Sequence, residues 1–486
     1  MAGLARRYAM PQDSGLASSL AGLADVAGIT ADSRAVKPGY IFAALKGARA
    51  DGSAFIADAV ARGAVAVLAE DGTTWPSCTP PRPLLTDAAP RRRLAEIAAL
   101  LAGPLPRTML AVTGTNGKTS TVDFLRQIVA ASGRRAASLG TLGMIAPGVE
   151  PEASLTTPDP VNLAERLARL RRAGIDHVAL EASSHGLDQA RLDGLRFAAA
   201  GVTNLTRDHL DYHGSLDAYR EAKLRLFAEL VEEGAPALAM SDLEPAMLGA
   251  LREIARRRHL RFGTVGEDGT ALRLIALRPE ADGQALTVDQ AGRRREIALP
   301  LAGRFQADNA LLAAALARAV GIEDALDHLA SLAPVRGRLE RAAVLPNGAA
   351  AYVDYAHTPD AIARVLDALR PHATGRLVVV FGAGGDRDRG KRPLMGEEAA
   401  RHADQVIVTD DNPRSEEPGS IRAEILAACP GATEIGERRA AIAAGLERLG
   451  PGDVLVVAGK GHEQGQIVGE TVIPFDDASV IRNLVA

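Results

Sequence analysis

The chain has 486 residues, which at about 150 residues per domain predicts about three domains and excludes a single small binding module. Hydrophobic residues make up 47% and charged residues 24% of the sequence, as in soluble globular proteins, so extensive disorder is not expected. The 56 Lys and Arg residues and 60 Asp and Glu residues give a formal net charge of −4, which provides no global attraction to nucleic acid.

The number of cysteines and the sequence of the N-terminus indicate in which cellular compartment the protein is expected. Cys78 and Cys429 are the only cysteines in the sequence, which excludes a disulfide scaffold and a closely spaced Cys metal site. We expect both thiols to be free and reduced, as is typical of a cytoplasmic protein. Residues 1–15 contain two arginines without an apolar segment after them, and no stretch approaches about 18 uninterrupted apolar residues. Neither secretion nor a membrane span is therefore expected.

Proline-rich segments near residues 104 and 334 indicate where the chain divides. The part before the first boundary alternates short apolar runs with Gly and Asp turns, which predicts a small α/β domain. The predicted domains are 1–103, 104–333 and 334–486.

The middle segment begins with the order of elements that a phosphate-binding βαβ unit requires. The apolar run Met109–Val112 predicts a buried strand, and a Gly-rich turn follows it. The next residues place Val122, Leu125 and Ile128 on one face of a predicted helix, which ends at Gly133. The turn between this strand and this helix is therefore a candidate nucleotide site.

That turn, Thr113–Ser120, has the sequence TGTNGKTS and is a variant of the P-loop. Its backbone N–H groups and the helix N-terminus can bind phosphates, Lys118 can neutralise their charge, and Thr119 can coordinate Mg²⁺. Val112 stands where the general pattern has its first Gly, so the match is imperfect. The alternative, a chance Gly-Lys-Thr turn, is disfavoured because a strand and a helix flank the motif as required.

Two later segments carry side chains suited to a nucleotide-bound metal. His177–Glu181 is a short apolar strand that ends in a carboxylate, a common ligand of such a metal, although Glu181 could instead cap the next turn. Thr203–His213 contains two His and two Asp residues in a predicted loop after another apolar strand. A lone histidine is ordinarily structural, but such a cluster beside a phosphate site is a candidate source of a metal ligand.

Lys223 falls on the apolar face of the helix that follows. This face comprises Leu216, Tyr219, Leu226, Phe227 and Leu230. In one interpretation the lysine snorkels towards solvent with its aliphatic stem against that face. In the other, its ammonium turns towards the phosphates.

The last segment has three candidate buried strands separated by Ala-rich helical stretches. They are Leu377–Phe381, Gln405–Thr409 and Val454–Ala458. Alternation of buried strands and helices predicts a second, doubly wound α/β domain.

Together these motifs resemble the Mur ligase family, whose members are ATP-dependent amino-acid ligases of peptidoglycan precursor synthesis. The likeness covers nearly the whole chain and rests on Gly114–Ser120, Glu181 with Ser183–Gly186, Asn204–His209 and Val353–Asp360. The set is highly specific, whereas each motif alone is only moderately so. The resemblance implies an α/β fold with three domains: a small N-terminal α/β domain that binds the UDP substrate, a central P-loop ATPase-type domain, and a C-terminal Rossmann-like domain that binds the amino acid.

Three C-terminal motifs are similar to those of family members that add meso-diaminopimelate to UDP-N-acetylmuramoyl-L-alanyl-D-glutamate. They are Gly384–Arg392, Asp411–Arg414 and Gly459–Glu463. The resemblance implies ATP and Mg²⁺ as cofactors and these two molecules as substrates, and we expect a monomer. Joining a carboxylate to an amine in water requires an activated acyl group, so we expect phosphoryl transfer from ATP to the D-glutamyl side chain and an acyl phosphate intermediate.

The resemblance also assigns roles to individual residues of the ATPase site. The implied ATP-binding residues are Gly114, Thr115, Asn116, Gly117, Lys118, Thr119, Ser120, Asn309, Arg338 and Asp354. The implied Mg²⁺ ligands are Thr119, Glu181 and His209. Lys223 matches the lysine that family members carry as a carbamate, an anion able to support a second Mg²⁺. The implied catalytic set is Lys118, Glu181, His209 and Lys223.

Two further sets would bind the other substrates. For the UDP-linked dipeptide the resemblance implies that the uridine nucleotide is bound by Ser33 and the Gly47–Gly52 turn. It implies that the muramoyl dipeptide is bound by Thr156, Thr157, Ser183, Gln189 and Arg191. For diaminopimelate it implies Arg387, Asp411, Asn412, Pro413, Arg414, Gly459 and Glu463. Diaminopimelate differs from lysine by a second carboxylate, which the guanidinium fork of Arg414 can bind through two hydrogen bonds. The ordinary alternatives are an Asx turn at Asp411–Arg414 and a solvated charge run at 386–392.

The sequence departs from the family pattern at two positions, and three alternative functions stay open. Family members often have Phe-Asn ahead of the adenine-contacting asparagine, whereas this chain has Phe305-Gln306, and Leu155 stands before Thr156 where a polar residue is frequent. A lysine-adding ligase remains possible, although Arg414 weighs against it. Folylpolyglutamate synthase shares the ATPase core but lacks the N-terminal domain and the Asp-Asn-Pro-Arg motif. A nucleotide-dependent switch protein that performs no ligation is the alternative from another class.

Overall fold

The computed structural model describes residues 26–47, 50–152, 155–280 and 282–486. The N-terminal segment 1–15 and two residues of the predicted uridine-binding turn, Ala48 and Arg49, lie outside this range. The chain forms two compact units, Met1–Thr264 with Ala315–Glu323 and Val265–Ala314 with Asp324–Ala486. The boundaries near 104 and 334 fall between separate sheets, and they stay predictions.

The first unit begins with a four-stranded parallel sheet of order β1-β2-β3-β4. Its strands are β1 (Gly28–Thr30), β2 (Tyr40–Ala44), β3 (Ala66–Glu70) and β4 (Leu84–Asp87), and its helices are α1 (Ile56–Ala61) and α2 (Pro90–Ala102). Short 3₁₀ turns occupy Ser33–Ala35 and Gly52–Phe55. Apolar side chains alternate between the two faces, so Ile41 and Phe42 of β2 join different core clusters. This confirms the predicted small α/β fold of the first segment.

The same unit contains the sheet that carries the predicted nucleotide site. Seven of its 11 strands lie wholly in this unit, in the order β11-β10-β5-β9-β6-β7-β8. They are β5 (Thr108–Thr113), β6 (Ala136–Gly140), β7 (Gly143–Ala146), β8 (Val149–Glu152), β9 (His177–Glu181), β10 (Ala199–Val202) and β11 (Pro236–Met240). Strands β11 to β6 are parallel, and β7 and β8 extend the sheet antiparallel. Because parallel strands end at one edge, the segments after β5, β9 and β10 lie together.

The helices of this sheet follow its strands. They are α3 (Lys118–Ala131), α4 (Pro160–Arg172), α5 (Ser184–Asp188), α6 (Leu210–His213), α7 (Leu216–Arg225) and α8 (Pro245–Arg257). The predicted strand over 177–181 is confirmed, and so is the predicted helix, although it ends at Ala131 and not at Gly133. The predicted loop over 203–213 is confirmed as far as residue 209, and α6 forms a single helical turn over its last four residues. Leu216 was wrongly placed on the apolar face, since as the first residue of α7 it is 38% exposed.

The second unit opens with β12 (Arg261–Gly266), which crosses the division between the units, and an antiparallel trio, β13 (Leu272–Glu280), β14 (Gly283–Gln290) and β15 (Arg293–Leu299). Helix α9 (Arg304–Ala319) follows and ends in the first unit. The remainder of the second unit is the C-terminal sheet with its helices.

The C-terminal sheet has six strands in the order β16-β17-β21-β18-β19-β20. They are β16 (Glu340–Val344), β17 (Ala350–Asp354), β18 (Leu377–Phe381), β19 (Gln405–Val408), β20 (Thr433–Glu434) and β21 (Val454–Ala458), and every pair except β16-β17 is parallel. A separate hairpin comprises β22 (Gly465–Val468) and β23 (Thr471–Pro474). The predicted strands over 377–381 and 454–458 are confirmed, and the third ends one residue early, at Val408.

Both faces of this sheet are covered by helices. These are α10 (Pro359–Leu369), α11 (Lys391–His402), α12 (Pro418–Leu426), α13 (Arg438–Glu447) and α14 (Asp477–Val485). Along β18, Val379 and Phe381 join one core cluster, and Val378 and Val380 join the other. A strand buried on both faces appears in the sequence as a continuous apolar run, which explains why it was recognisable. The doubly wound fold is confirmed.

The structure also bears on the predictions made for the two cysteines and for membrane spans. Both thiols are free, with Cys78 exposed and Cys429 buried in a core cluster of the C-terminal sheet. Burial raises the pKa of the Cys429 thiol. In the described part of the chain, no helix is both long enough and apolar enough to cross a bilayer.

Candidate active site

The loop between β5 and α3 is packed against the segment that follows β10. Gly114 has a φ of +143°, and a Cβ atom there would lie 1.9 Å from Thr203 Oγ1, so only glycine fits. Thr203 Oγ1 donates to the Asn116 carbonyl at 2.6 Å. Lys118 Nζ donates to the carbonyls of Gly114 at 2.9 Å and Thr115 at 2.8 Å, which draws its ammonium over the loop. The predicted phosphate loop therefore has the strand, turn and helix that its motif demands.

The segment after β10 braces this loop through paired hydrogen bonds. The Asn204 side chain accepts from Asn116 N at 2.9 Å and donates to the Asn116 carbonyl at 3.2 Å. Thr115 Oγ1 donates to the Thr206 carbonyl at 3.1 Å and accepts from Thr206 N at 2.9 Å. Part of the family motif Asn204–His209 thus has a clear physical purpose, which is to fix the backbone of the phosphate loop.

Lys223 is buried beneath the same loop. Its side chain is 1% exposed, Nζ donates to the Gly114 carbonyl at 2.7 Å, and Nζ lies 4.3 Å from the centroid of the Tyr219 ring. Burial, and then the neighbouring charge of Lys118, lower the pKa of Lys223 well below its ordinary value. The snorkelling interpretation is wrong, because the ammonium points into the phosphate loop. Tyr219 in turn donates to Thr115 Oγ1 at 3.2 Å.

Glu181 is buried at the carboxyl end of β9. Its Oε1 accepts from Thr141 N at 2.7 Å and its Oε2 from Thr141 Oγ1 at 3.3 Å. A Cβ atom at Gly140 would lie 2.0 Å from Oε1, so the glycine makes room for the carboxylate. The capping alternative is wrong, since Ser183 Oγ accepts from Gly186 N at 3.1 Å and caps α5 itself.

Five of the six residues predicted to bind the UDP-linked dipeptide form one hydrogen-bonded chain next to Glu181. Thr157 Oγ1 donates to the Glu181 carbonyl at 2.9 Å and accepts from Ser183 Oγ at 3.0 Å. Arg191 Nη1 donates to the Thr157 carbonyl at 2.7 Å, and Arg191 Nη2 donates to Gln189 Oε1 at 2.7 Å. The fifth, Thr156, contacts Thr141 through the two hydroxyls at 3.0 Å. Ser33, the sixth, lies in the 3₁₀ turn after β1.

The predicted Mg²⁺ ligands Thr119, Glu181 and His209 include a single carboxylate. In residues 26–47, 50–152, 155–280 and 282–486, no group of three or more His, Cys, Asp or Glu side chains is arranged to hold a metal. His209, with a φ of +51°, pairs with Asp208 at 3.5 Å, and its ring lies 4.8 Å from the ring of His185. Mg²⁺ usually takes only one or two carboxylates and completes its shell with phosphate oxygens and water. The buried carboxylate of Glu181 and the hydroxyl of Thr119 fit that requirement.

In the second unit, the residue that departs from the family pattern, Gln306, joins two of the predicted ATP-contacting residues, Asn309 and Arg338. Gln306 is buried, its Nε2 donates to the Arg338 carbonyl at 2.7 Å, and its Oε1 accepts from Asn309 Nδ2 at 3.3 Å. Asp354 accepts from Leu339 N at 2.7 Å, which fixes the residue after Arg338. Burial raises the pKa of the Asp354 carboxyl. The glutamine thus fills its position with specific hydrogen bonds.

The predicted amino-acid site forms where β19 and β21 end. Asn412 Nδ2 donates to Glu463 Oε2 at 2.8 Å, which joins the two loops. Gly459 has a φ of +115°, and a Cβ atom there would lie 2.6 Å from Asp411 Oδ2. Asn412 Oδ1 accepts from Ile467 N at 3.0 Å, so its amide does not form the Asx turn considered above. Two acidic side chains and an amide therefore converge at the carboxyl edge of this sheet.

Arg414 lies beside this cluster and is fixed by its backbone. It has a φ of +53°, its N donates to the Ile467 carbonyl at 3.1 Å, and its carbonyl accepts from Gly469 N at 2.7 Å. Its Nη1 donates to the Gly385 carbonyl at 2.8 Å. A Cβ atom at Gly384 would lie 2.8 Å from Arg414 Nη1 and 3.9 Å from Arg387 Cγ, so both predicted arginines lie beside Gly384.

Sequence reasoning missed the buried charges that support these loops. Lys460 is fully buried, and its Nζ donates to Asn412 Oδ1 at 2.9 Å and contacts Glu463 Oε2 at 3.3 Å. Arg392 is also fully buried and pairs with Glu416 at 2.8 Å, so it is not part of a solvated charge run. Hydrogen bonds from Arg392 and from the Asp386 backbone lower the pKa of Glu416 to about 2. Lys460 lies inside the Gly459–Glu463 motif, and this position in the sequence indicates that it belongs to the amino-acid site.

Comparison with known proteins gives concordant matches along the chain. Residues 25–103 match "Mur ligase family, catalytic domain", residues 112–317 match "Mur ligase middle domain", and residues 337–461 match "Mur ligase, glutamate ligase domain". A curated protein of Caulobacter vibrioides named UDP-N-acetylmuramoyl-L-alanyl-D-glutamate--2,6-diaminopimelate ligase is 52% identical over 463 residues, which cover 93% of this chain and 94% of the relative. A protein of the same name from Agrobacterium fabrum is 49% identical over 482 residues, 98% of this chain and 97% of the relative.

Solved structures give the same family likeness as the sequence comparisons. A structure of a protein of that name is 34% identical, has a TM-score of 0.71 and covers 94% of both chains. A folylpolyglutamate synthase of Mycobacterium tuberculosis, solved with ADP and AMPPCP, has a TM-score of 0.62 at 19% identity and covers 76% of this chain and 92% of its own. The second likeness is one of fold alone.

Proposed function

This chain belongs to the Mur ligase family, and we propose that it is an ATP-dependent ligase that adds meso-diaminopimelate to UDP-N-acetylmuramoyl-L-alanyl-D-glutamate. The observation that carries the choice of amino acid is the position of Arg414 beside the Asn412–Glu463 cluster at one sheet edge, where its Nη1 lies 3.5 Å from the Asn412 carbonyl. A zwitterion with an extra carboxylate needs both a guanidinium fork and acidic partners for its ammonium group. The product belongs to peptidoglycan precursor synthesis.

The nucleotide is ATP, held by the Gly114–Ser120 loop. Backbone N–H groups at the start of α3 bind the phosphates, and Lys118 neutralises the charge that develops when two anions approach. Thr119, Glu181 and His209 would hold Mg²⁺, which supplies further charge neutralisation at the transferred phosphoryl group. Asn309, Arg338 and Asp354 stay predicted ATP contacts.

Lys223 carries a carbamate in this proposal. Burial lowers its pKa and so favours the neutral amine, which is the form that attacks CO₂. The nitrogen lone pair forms the new N–C bond, one oxygen of CO₂ takes the electron pair, and the amine loses one proton. The product is an anion beneath the phosphate loop, where the unmodified cation would be poorly solvated.

The reaction then follows from the positions of these groups. The D-glutamyl side-chain carboxylate attacks the γ-phosphorus of ATP, and ADP leaves. The amine of diaminopimelate attacks the resulting acyl phosphate, and inorganic phosphate leaves through a tetrahedral intermediate, with the amine proton released. Much of the catalysis is positioning, because three substrates must be aligned.

The UDP-linked dipeptide would be bound by Ser33, the 47–52 turn and the hydrogen-bonded chain next to Glu181. In that chain Arg191 already orients the Thr157 carbonyl and the Gln189 side chain. The domain roles follow as UDP-substrate binding for 1–103, ATP binding for 104–333 and amino-acid binding for 334–486. Two free thiols support a cytoplasmic, reducing compartment.

Phosphate release tests the proposal. The purified protein is incubated with ATP, Mg²⁺ and the UDP-linked dipeptide, and meso-diaminopimelate or L-lysine is added in parallel. We expect release with diaminopimelate alone, together with a product whose mass is increased by one diaminopimelate residue. Phosphate release with lysine would overturn the role of Arg414. If neither amino acid supports phosphate release, the ligase proposal is overturned.

A further inference from the structure

A fully buried ion pair joins two helices of the second unit behind the amino-acid site. Arg438 is the first residue of α13 and Asp477 is the first residue of α14, and both side chains are 0% exposed. Arg438 Nε donates to Asp477 Oδ1 at 2.8 Å, and Nη2 donates to Oδ2 at 2.7 Å. The pair has the bidentate geometry that gives an arginine the strongest orientation.

The remaining donors of Arg438 reach the two loops of the site. Nη2 also donates to the Ala458 carbonyl at 3.0 Å, and Nη1 donates to the Asp410 carbonyl at 3.3 Å. Each carbonyl belongs to the residue just before a predicted diaminopimelate contact, Gly459 in one loop and Asp411 in the other. One guanidinium therefore spans the gap across which these loops face each other.

Charge reinforces this arrangement. Burial alone opposes ionisation of Arg438, but the carboxylates of Asp477, Asp411 and Glu463 outweigh it and raise the pKa of the guanidinium. The cation is thus fully ionised beneath two acidic side chains that the substrate ammonium is proposed to meet. Well-packed apolar residues often replace a buried ion pair without loss of stability. A role beyond folding is the more specific explanation for retaining this one.

We propose that Arg438, oriented by Asp477, is a positioning residue that sets the spacing between the loop of Asp411 and the loop of Gly459 and so determines the affinity for diaminopimelate. The inference rests on the proposed function. It makes the start of α14, the last helix of the chain, part of the substrate site although Asp477 does not contact substrate.

The test separates positioning from folding. In the double variant Arg438→Met with Asp477→Leu, no buried charge is left unpaired, so the protein should stay folded with a melting temperature near that of the wild type. We expect the KM for diaminopimelate to rise about tenfold to 100-fold, because displacements of about 1 Å have effects of that size. The KM values for ATP and for the UDP-linked dipeptide should stay unchanged.

A second variant keeps the test informative if the first is unstable. Arg438→Lys retains a cation beside Asp477 but lacks the fork that reaches both carbonyls. It should show the same selective rise in the KM for diaminopimelate. Arg376→Met is the matched control, since Arg376 pairs with the buried Asp453 at the opposite, amino ends of β18 and β21. It should lower the melting temperature without changing that KM.

The outcomes are distinguishable. If the wild type consumes diaminopimelate but both Arg438 variants keep its KM, the positioning role is overturned and the proposed function stands. If all three KM values rise together, the pair is only structural and the inference is overturned. If the wild type shows no diaminopimelate-dependent phosphate release, the proposed function fails and the inference fails with it.

Discussion

The side chains of Asn412 and Glu463 are joined by a hydrogen bond of 2.8 Å across two loops that lie about fifty residues apart in the sequence. The contact exists because β19 and β21 are parallel strands of one sheet, which brings their carboxyl ends to the same edge. The amide orientation is set by Ile467 N and Lys460 Nζ, both of which donate to Asn412 Oδ1. The proposed substrate pocket is thus preorganised by the fold of the second unit.

Arg414→Ala should abolish productive binding of diaminopimelate. Loss of the guanidinium would leave one buried substrate carboxylate unpaired, which costs about 2–5 kcal/mol. Steady-state kinetics with varied diaminopimelate would measure this loss. Arg401→Ala, at an exposed ion pair on α11, is the matched control and should change kcat/KM by less than about 0.5 kcal/mol. Unchanged kinetics in the Arg414 variant would contradict the assignment.

Lys460→Met should weaken diaminopimelate binding while leaving ATP binding intact. The substitution keeps the volume of the side chain but removes the cation that contacts both Asn412 and Glu463. We expect a rise of about tenfold in the KM for diaminopimelate, equivalent to about 1.4 kcal/mol. Lys37→Met, at an exposed position of the N-terminal sheet region, provides the comparison. Equal KM values in the two variants would argue against the role of Lys460.

Lys223→Met should alter the pH dependence of stability in a defined direction. Since the pKa of Lys223 is lowered in the folded chain, the unfolded chain binds more protons at pH values between that lowered pKa and 10.5. The wild type should therefore gain stability relative to the variant as pH rises through this window. Melting temperatures in CO₂-free buffer measure the difference, and a parallel pH dependence in both proteins would contradict the prediction.

The carbamate on Lys223 has its own test. Mass spectrometry of the native protein, or NMR after addition of ¹³C-bicarbonate, should detect one carbamate in the wild type and none in Lys223→Met. The variant should also lose ligase activity. An active variant would show that the proposed anion is not required.

Gly114→Ala should inactivate the ATPase site. The new methyl group would lie 1.9 Å from Thr203 Oγ1 at a backbone φ of +143°, so the phosphate loop must shift. Phosphate release should fall by at least about 100-fold, as expected for a displacement of about 1 Å at a reacting group. Gly249→Ala is the matched control, because no atom lies within 4 Å of the added Cβ in α8, and it should stabilise the helix by up to about 1 kcal/mol.

Much of the fold was predictable because its signals are local. A strand buried on both faces must be a continuous apolar run, which gave the bounds of β9, β18 and β21. The phosphate loop was predictable because its glycines and lysine are adjacent in sequence. Lys223 was placed on the correct face of its helix, but the direction of its ammonium depends on Gly114, 109 residues away.

The charges that support the amino-acid site were not predictable in the same way. Arg438 and Asp477 are separated by 39 residues, and charged side chains are almost never fully buried unless they are paired. Their burial is a property of how α13 and α14 pack on the sheet. At Gln306 the sequence did reveal a departure from the family pattern, but only the structure shows that the side chain is buried and hydrogen-bonded on both its nitrogen and its oxygen.

The contrast between Cys78 and Cys429 gives the wild-type chain a built-in reporter. A maleimide dye should attach to Cys78 in the native protein, because that thiol is exposed while the other is enclosed by the C-terminal core. Labelling of Cys429 then requires that core to open, so the rate at which a second dye is incorporated measures the opening equilibrium of the C-terminal sheet. Ligands that bind the second unit should slow this second labelling step, and a mass spectrometer can follow it without any engineered substitution.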